Sequence, residues 1–184
     1  YDLPQNKAKR IVERRKRDFD TLQNLGNSLK RLKGARKDSK KKKKNLLKEE
    51  GKPTVEEVRN ESGVVITKNA LTTRSRMYVD GFFRDITLVT NPRDVVELGE
   101  MALKVNSLIQ YNRYNGRYSR SAEYYETKAK ILSYMKEGYT AIGDAQNANR
   151  IALEITKFEM AADRAMDYGF RQPFEKSPDS YNFR

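Results

Sequence analysis

A run of five consecutive lysines, Lys40 to Lys44, limits what the chain around it can become, because like charges packed that densely repel one another. The run lies in a strongly basic first quarter. Residues 1–50 carry 18 basic and 7 acidic side chains and the remainder carries 20 and 18, so +11 of the net charge of +13 falls before residue 51. That asymmetry predicts a nearly neutral folded body with a basic arm, the arrangement expected of a domain anchored to a polyanion.

Within the arm, Val12, Phe19, Leu22, Leu25, Leu29 and Leu32 recur at intervals of three, four and seven, which predicts one apolar stripe on a helix over residues 6–33. Arg10, Arg14, Arg15, Lys16 and Arg17 cover the other faces at its start. Gly34 is expected to end this helix, and residues 35–52, which include the lysine run, to stay disordered until an anion neutralises them.

Beyond Gly51-Lys52-Pro53 the composition shifts to Val, Ile, Thr, Phe and Tyr, which is strand chemistry. Residues 63–67 form a short candidate strand. Arg74 to Val79, Asp80-Gly81 and Phe82 to Val89 are expected to form a hairpin, because Asp-Gly suits a two-residue type I′ turn. Its register would set Tyr78 opposite Phe83 and Arg76 opposite Asp85.

Helix signals dominate the rest. Asn91 stands where an N-cap belongs, Pro92 at the first helical position and Asp94 in the first turn, so a helix should run to about Asn112. A second is expected from about Ser121 to Ile142, broken by Gly143-Asp144, and a third from about Ala145 to Tyr168 with Gly169 as its cap. The helical pair resembles one unit of a tetratricopeptide-type repeat over about 45 residues, without a second copy. The expected class is therefore α+β, mainly helical. It comprises a basic helical arm with a Lys-rich disordered segment (1–50), a small antiparallel β-hairpin region (51–90), a three-helix body (91–169) and an extended C-terminal tail (170–184).

The chain has no His, Cys or Trp, which removes disulfides, zinc fingers, thiol nucleophiles, imidazole metal sites and Ser-His-Asp triads. No apolar stretch approaches the ~20 residues of a membrane-spanning helix. Gly138 and Gly143 stand at P-loop spacing, but Asp144 and Ala145 follow where Lys and Ser or Thr are required. Asp94, Glu97 and Glu100 recur at helical spacing, an arrangement that can hold Mg²⁺ but more often forms a solvated face. No enzyme activity, cofactor or metal is expected.

Residues 111–120, Tyr-Asn-Arg-Tyr-Asn-Gly-Arg-Tyr-Ser-Arg, alternate aromatic and guanidinium groups. Tyrosine rings stack on unpaired bases and arginines bind phosphates, so Arg113, Tyr114, Arg117, Tyr118 and Arg120 are candidates for contact with single-stranded or looped RNA. The same residue types are enriched at protein interfaces. With Arg10, Arg14, Arg15, Arg17 and Lys40, Lys41, Lys42, Lys43 and Lys44, they make up the candidate nucleic-acid contacts.

The composition is similar to that of peripheral ribosomal proteins, organellar ones included, and of basic virion components. The expected function is a non-enzymatic structural or assembly subunit of a large complex, anchored to nucleic acid, RNA before DNA, and docked on neighbouring protein subunits. The alternative is a basic linker between acidic protein subunits, as in light-harvesting or organellar assemblies. The expected setting is intracellular. A start at Tyr1 would follow from removal of an organellar transit peptide or from cleavage within a virion.

Overall fold

The computed structural model describes residues 3–43, 57–59, 65–111 and 121–175. Helix α1 (Pro4–Lys43) opens on Pro4, whose fixed φ suits the first helical position, and the Leu3 carbonyl accepts from the Asn6 and Lys7 amides at 3.0 and 3.1 Å. Ala8, Ile11, Val12, Phe19, Leu22, Leu25 and Leu29 are all buried, and they belong to the core that the later helices complete. Residues 8–29 are thus not an arm attached to a body but one wall of it. Nor does Gly34 end the helix. One interior glycine costs only about 1 kcal/mol relative to alanine, and each like-charge pair a few tenths, within a segment whose other residues are Lys, Arg and Ala apart from Asp38 and Ser39. The backbone stays helical to Lys43, so the disorder expected of residues 35–43 is corrected.

The expected hairpin is also corrected. Residues 74–85 lie in helix α2 (Lys68–Asp85), followed by a single 3-10 turn at Ile86–Leu88. The buried positions Leu71, Ser75, Tyr78, Val79, Phe82 and Ile86 follow the 3.6-residue period, whereas a hairpin would have buried alternate residues. Tyr78 and Phe82 accordingly share one helix face, and Asp80-Gly81 is not a turn. The left-handed conformation occurs among the described glycines at Gly143 alone. Before α2, strands β1 (Glu57–Arg59) and β2 (Val65–Thr67) pair antiparallel with Val58 opposite Ile66. Three residues a side make no sheet layer, so the fold is helical and the α+β assignment does not hold.

The local start signals act as expected in the second half, although the first of its helices stops at Asn106 and not at about Asn112. The Asn91 side chain accepts from the Arg93 amide at 2.9 Å and starts helix α3 (Pro92–Asn106). Ser121 caps helix α4 (Ala122–Ile142) through the Tyr124 amide. Gly143, at φ 90°, closes α4 in a Schellman arrangement: its amide reaches the Thr140 carbonyl at 3.1 Å and the Asp144 amide reaches Tyr139 at 2.9 Å. Asp144 then accepts from the Asn147 amide at 3.1 Å and begins helix α5 (Ala145–Glu175). A second hydrogen bond, from the Asn147 side-chain amide to Asp144 Oδ2 at 2.6 Å, joins the backbone one in holding the Asp144 carboxyl below its ordinary range. Helix α5 continues through Gly169 to Glu175, so Gly169 is not its cap, and 170–175 are helical instead of an extended tail. Residues 176–184 lie outside the described residues.

Helices α4 and α5 form the most extensive helix pair, and α3 packs closely on α4. A Cβ on Gly99 of α3 would stand 2.3 Å from Met135 Cγ, and one on Gly138 of α4 would stand 2.9 Å from Val96 Cγ2 and 3.1 Å from the Pro92 carbonyl oxygen. The two backbones approach through one glycine on each. Phe82, Leu98, Ala102, Val105, Ile109, Ile131, Leu132, Met135 and Ile151 fill the centre, drawn from α2, the α3 region, α4 and α5.

Candidate nucleic-acid interface

Arginines 10, 14, 15 and 17 on α1 do not share one fate. Arg10, Arg14 and Arg17 fall at i, i+4 and i+7 and are exposed. Arg15 turns inward and is 5% exposed. Its guanidinium donates to Asp85 Oδ2 at 3.0 Å and to the Tyr78 carbonyl oxygen, and lies 4.2 Å from the centre of the Tyr78 ring. The Tyr78 hydroxyl in return donates to the Arg15 carbonyl oxygen at 3.3 Å. Burial pushes the Tyr78 phenol up to about 12, against the opposing pull of the nearby Arg15 charge. Arg15 therefore braces α1 against α2 and is withdrawn as a phosphate contact: a cation whose fork is already occupied and desolvated has little left to offer a ligand. Gly81 makes this possible, since a Cβ there would lie 2.7 Å from Arg15 Nη1.

Above that brace runs an open groove of about 450 Å³ between α1 and α2. Arg14, Asp18 and Thr21 form its α1 side, Arg74, Met77 and Arg84 its α2 side, and Leu22, Tyr78 and Asp85 also line it. Arg14 shares Asp85 with Arg15, at 3.2 Å, but its side chain remains 56% exposed. Arg74 and Arg84 are exposed and form no ion pair among the described residues. Neither was among the expected contacts. Their signal was the spacing Arg74, Met77, Gly81, Arg84, which is three, four and three and marks one helical stripe, but it is hidden when the segment is read as two strands.

The lysine run and the Tyr/Arg segment are only partly described. Lys40 to Lys43 continue the backbone of α1, while their side chains, Lys44 and Arg113, Tyr114, Arg117, Tyr118 and Arg120 lie outside the described residues. Both ends of the 112–120 connection are anchored. Tyr111 donates its hydroxyl to Asn106 Oδ1 at 2.6 Å, and the fully buried Asn106 donates to the Tyr124 carbonyl oxygen at 3.5 Å. Burial raises the Tyr111 phenol above its ordinary value. The Arg76 guanidinium sits 4.7 Å from the Tyr111 ring centre and donates to Glu123 at 2.9 Å, a hydrogen bond that raises its already high pKa. At the far end, Ser121 is buried as the α4 cap.

The acidic and glycine patterns take structural roles. Glu97 pairs with Lys16 at 3.2 Å, tying α3 to α1, and no group of three or more acidic side chains is placed to hold a metal among the described residues. Gly138 is an interhelical contact and Gly143 a helix cap, so they form no phosphate loop. No helix among the described residues is long and apolar enough to cross a membrane. Comparison with protein-family models, with curated proteins and with solved structures yields no match.

Proposed function

We propose that this protein is a non-enzymatic structural or assembly subunit of a large complex, of ribonucleoprotein or virion type, held to nucleic acid by the basic face of α1. One observation carries the reading. The inner face of α1 is a wall of the core, while Arg10, Arg14 and Arg17 point outward and the backbone runs on without a break to Lys43. Basic residues on such a helix present their charge from a rigid support, so less conformational entropy is lost when a polyanion binds. The alternating Tyr/Arg composition of residues 111–120 favours RNA over DNA as the ligand.

The test is a salt titration of binding to single-stranded RNA, duplex RNA and duplex DNA. If six to ten phosphates are neutralised, affinity falls by about 10³ to 10⁵ between 50 and 200 mM salt. Replacing Lys40 to Lys44 by Gln should flatten that dependence. Absence of binding to all three ligands at 50 mM salt, with retention on an acidic protein instead, would replace this reading with that of a protein-to-protein linker.

A further inference from the structure

We infer that the groove between α1 and α2 receives the backbone of one unpaired nucleic-acid strand, with Arg74 and Arg84 on separate phosphates and Met77 against a base between them. This rests on the nucleic-acid reading above and assigns it a place that the lysine run and the Tyr/Arg segment do not include.

Three features point to this ligand. Arg74 and Arg84 are ten positions apart on one stripe of α2, about 15 Å along the helix axis. At that spacing each guanidinium has room for its own phosphate, so the ligand inferred here carries at least two. Met77 lies on that stripe between them, and at 66% exposure it is an unbranched, polarisable side chain facing water. Cation, apolar contact, cation along one line matches the phosphate, base, phosphate order of an unstacked strand. A string of carboxylates would use the two guanidiniums and leave Met77 idle. The recess, about 450 Å³, is of a size that takes individual groups and not the width of a double helix.

The floor supplies selectivity. Asp85 is engaged by both Arg14 and Arg15, so its negative charge is compensated before any anion arrives, and Asp18 is the one remaining carboxylate of the groove against the exposed Arg14, Arg74 and Arg84. Arg14 is the exposed member of that pair and can turn to a phosphate while Arg15 keeps the carboxylate. Planar guanidinium forks suit phosphate oxygens in this role better than ammonium groups would.

The experiment compares the full chain with Arg74→Gln/Arg84→Gln, Met77→Ala and Arg74→Lys/Arg84→Lys, using a uridine-rich RNA 12-mer, a duplex RNA of equal length and polyglutamate across a salt series. Losing two phosphate contacts on a single strand should reduce the slope of log K against log salt by about 1.4, equivalent to roughly 25-fold weaker binding at 0.1 M salt. Met77→Ala should weaken binding to the 12-mer several-fold with the slope unchanged, the Lys pair should keep most of the slope, and duplex binding should change little. Circular dichroism of the variants should match the parent, because all three side chains are exposed. If the parent binds the 12-mer and the Gln pair binds it identically, the groove assignment is overturned while the broader reading stands. Equal losses on duplex and 12-mer, or polyglutamate competing as well as RNA, would overturn the single-strand assignment. A parent that binds no nucleic acid at low salt ends both.

Discussion

The Arg15 guanidinium bridges Asp85 and the Tyr78 carbonyl oxygen of α2 from a position on α1 some seventy residues earlier, with the Tyr78 ring beneath it. It is a nearly buried cation whose partners all lie on one neighbouring helix. With Arg14, which shares Asp85, and the Tyr78 hydroxyl on the Arg15 carbonyl oxygen, it forms the polar fastening of the α1–α2 contact.

Truncating Arg15 to Ala should therefore destabilise the protein by about 2–4 kcal/mol, because removing one member of a buried pair strands the other. The cost falls toward the lower end since Arg14 remains 3.2 Å from Asp85. Urea denaturation followed by circular dichroism measures it. Arg14→Ala, at an exposed position, should cost less than about 1 kcal/mol in the same assay.

Gly81→Ala should cost about 1–3 kcal/mol by driving a methyl group into a guanidinium that Asp85 and Tyr78 prevent from moving. In an Arg15→Ala background the obstacle is gone, and the same change should be neutral or stabilise α2 by up to about 1 kcal/mol through helix propensity. A double-mutant cycle reads the coupling directly. Additive effects would show that Gly81 is there for another reason.

Tyr78 gives a pH dependence with a definite sign. Its folded pKa of about 12 lies above the ordinary value of 10.0, so between those values the unfolded chain has lost a proton that the native chain retains. Fewer protons bound in the unfolded state means that stability falls as pH rises, by an amount on the order of 3 kcal/mol over the window. Below pH 10 this group contributes no slope. Tyr78→Phe, compared with the parent at pH 9 and pH 11, should lose less stability over that interval. Identical losses would mean that burial does not raise the Tyr78 phenol above its ordinary value in the folded protein.

The caps make a local prediction. Asn91→Ala and Ser121→Ala should each cost about 1 kcal/mol, since each removes the acceptor of a first-turn amide. Gly143→Ala should cost a similar amount from strain at φ 90° alone, because no neighbour obstructs the methyl group. Gly99→Ala, by contrast, meets Met135 and should cost about 1–3 kcal/mol by forcing α3 from α4. Thermal denaturation separates the two kinds of glycine.

What the sequence determined by itself was whatever depends on a few consecutive residues: Asn91-Pro92 opening α3, Ser121 opening α4 and Gly143-Asp144 turning α4 into α5. In each the hydrogen-bond partners lie within five positions, so the energetics are local and readable. Residues 74–89 went the other way. Val, Phe, Tyr and Ile around Asp-Gly satisfy strand chemistry locally, but β propensity depends on what the side chains pack against, and here Tyr78 and Phe82 find their surroundings on one helical face. Gly81 carries the same lesson, for its missing Cβ serves Arg15, sixty-six positions away, and not a turn. The candidate site divides along the same line. Composition alone located a basic first quarter, but whether Arg14 or Arg15 faces water is a difference of one residue's rotation about α1, decided by where α2 lies. Arg74 and Arg84 became neighbours of that face only when α2 packed beside α1, because long-range packing, not local preference, sets which charges share a groove.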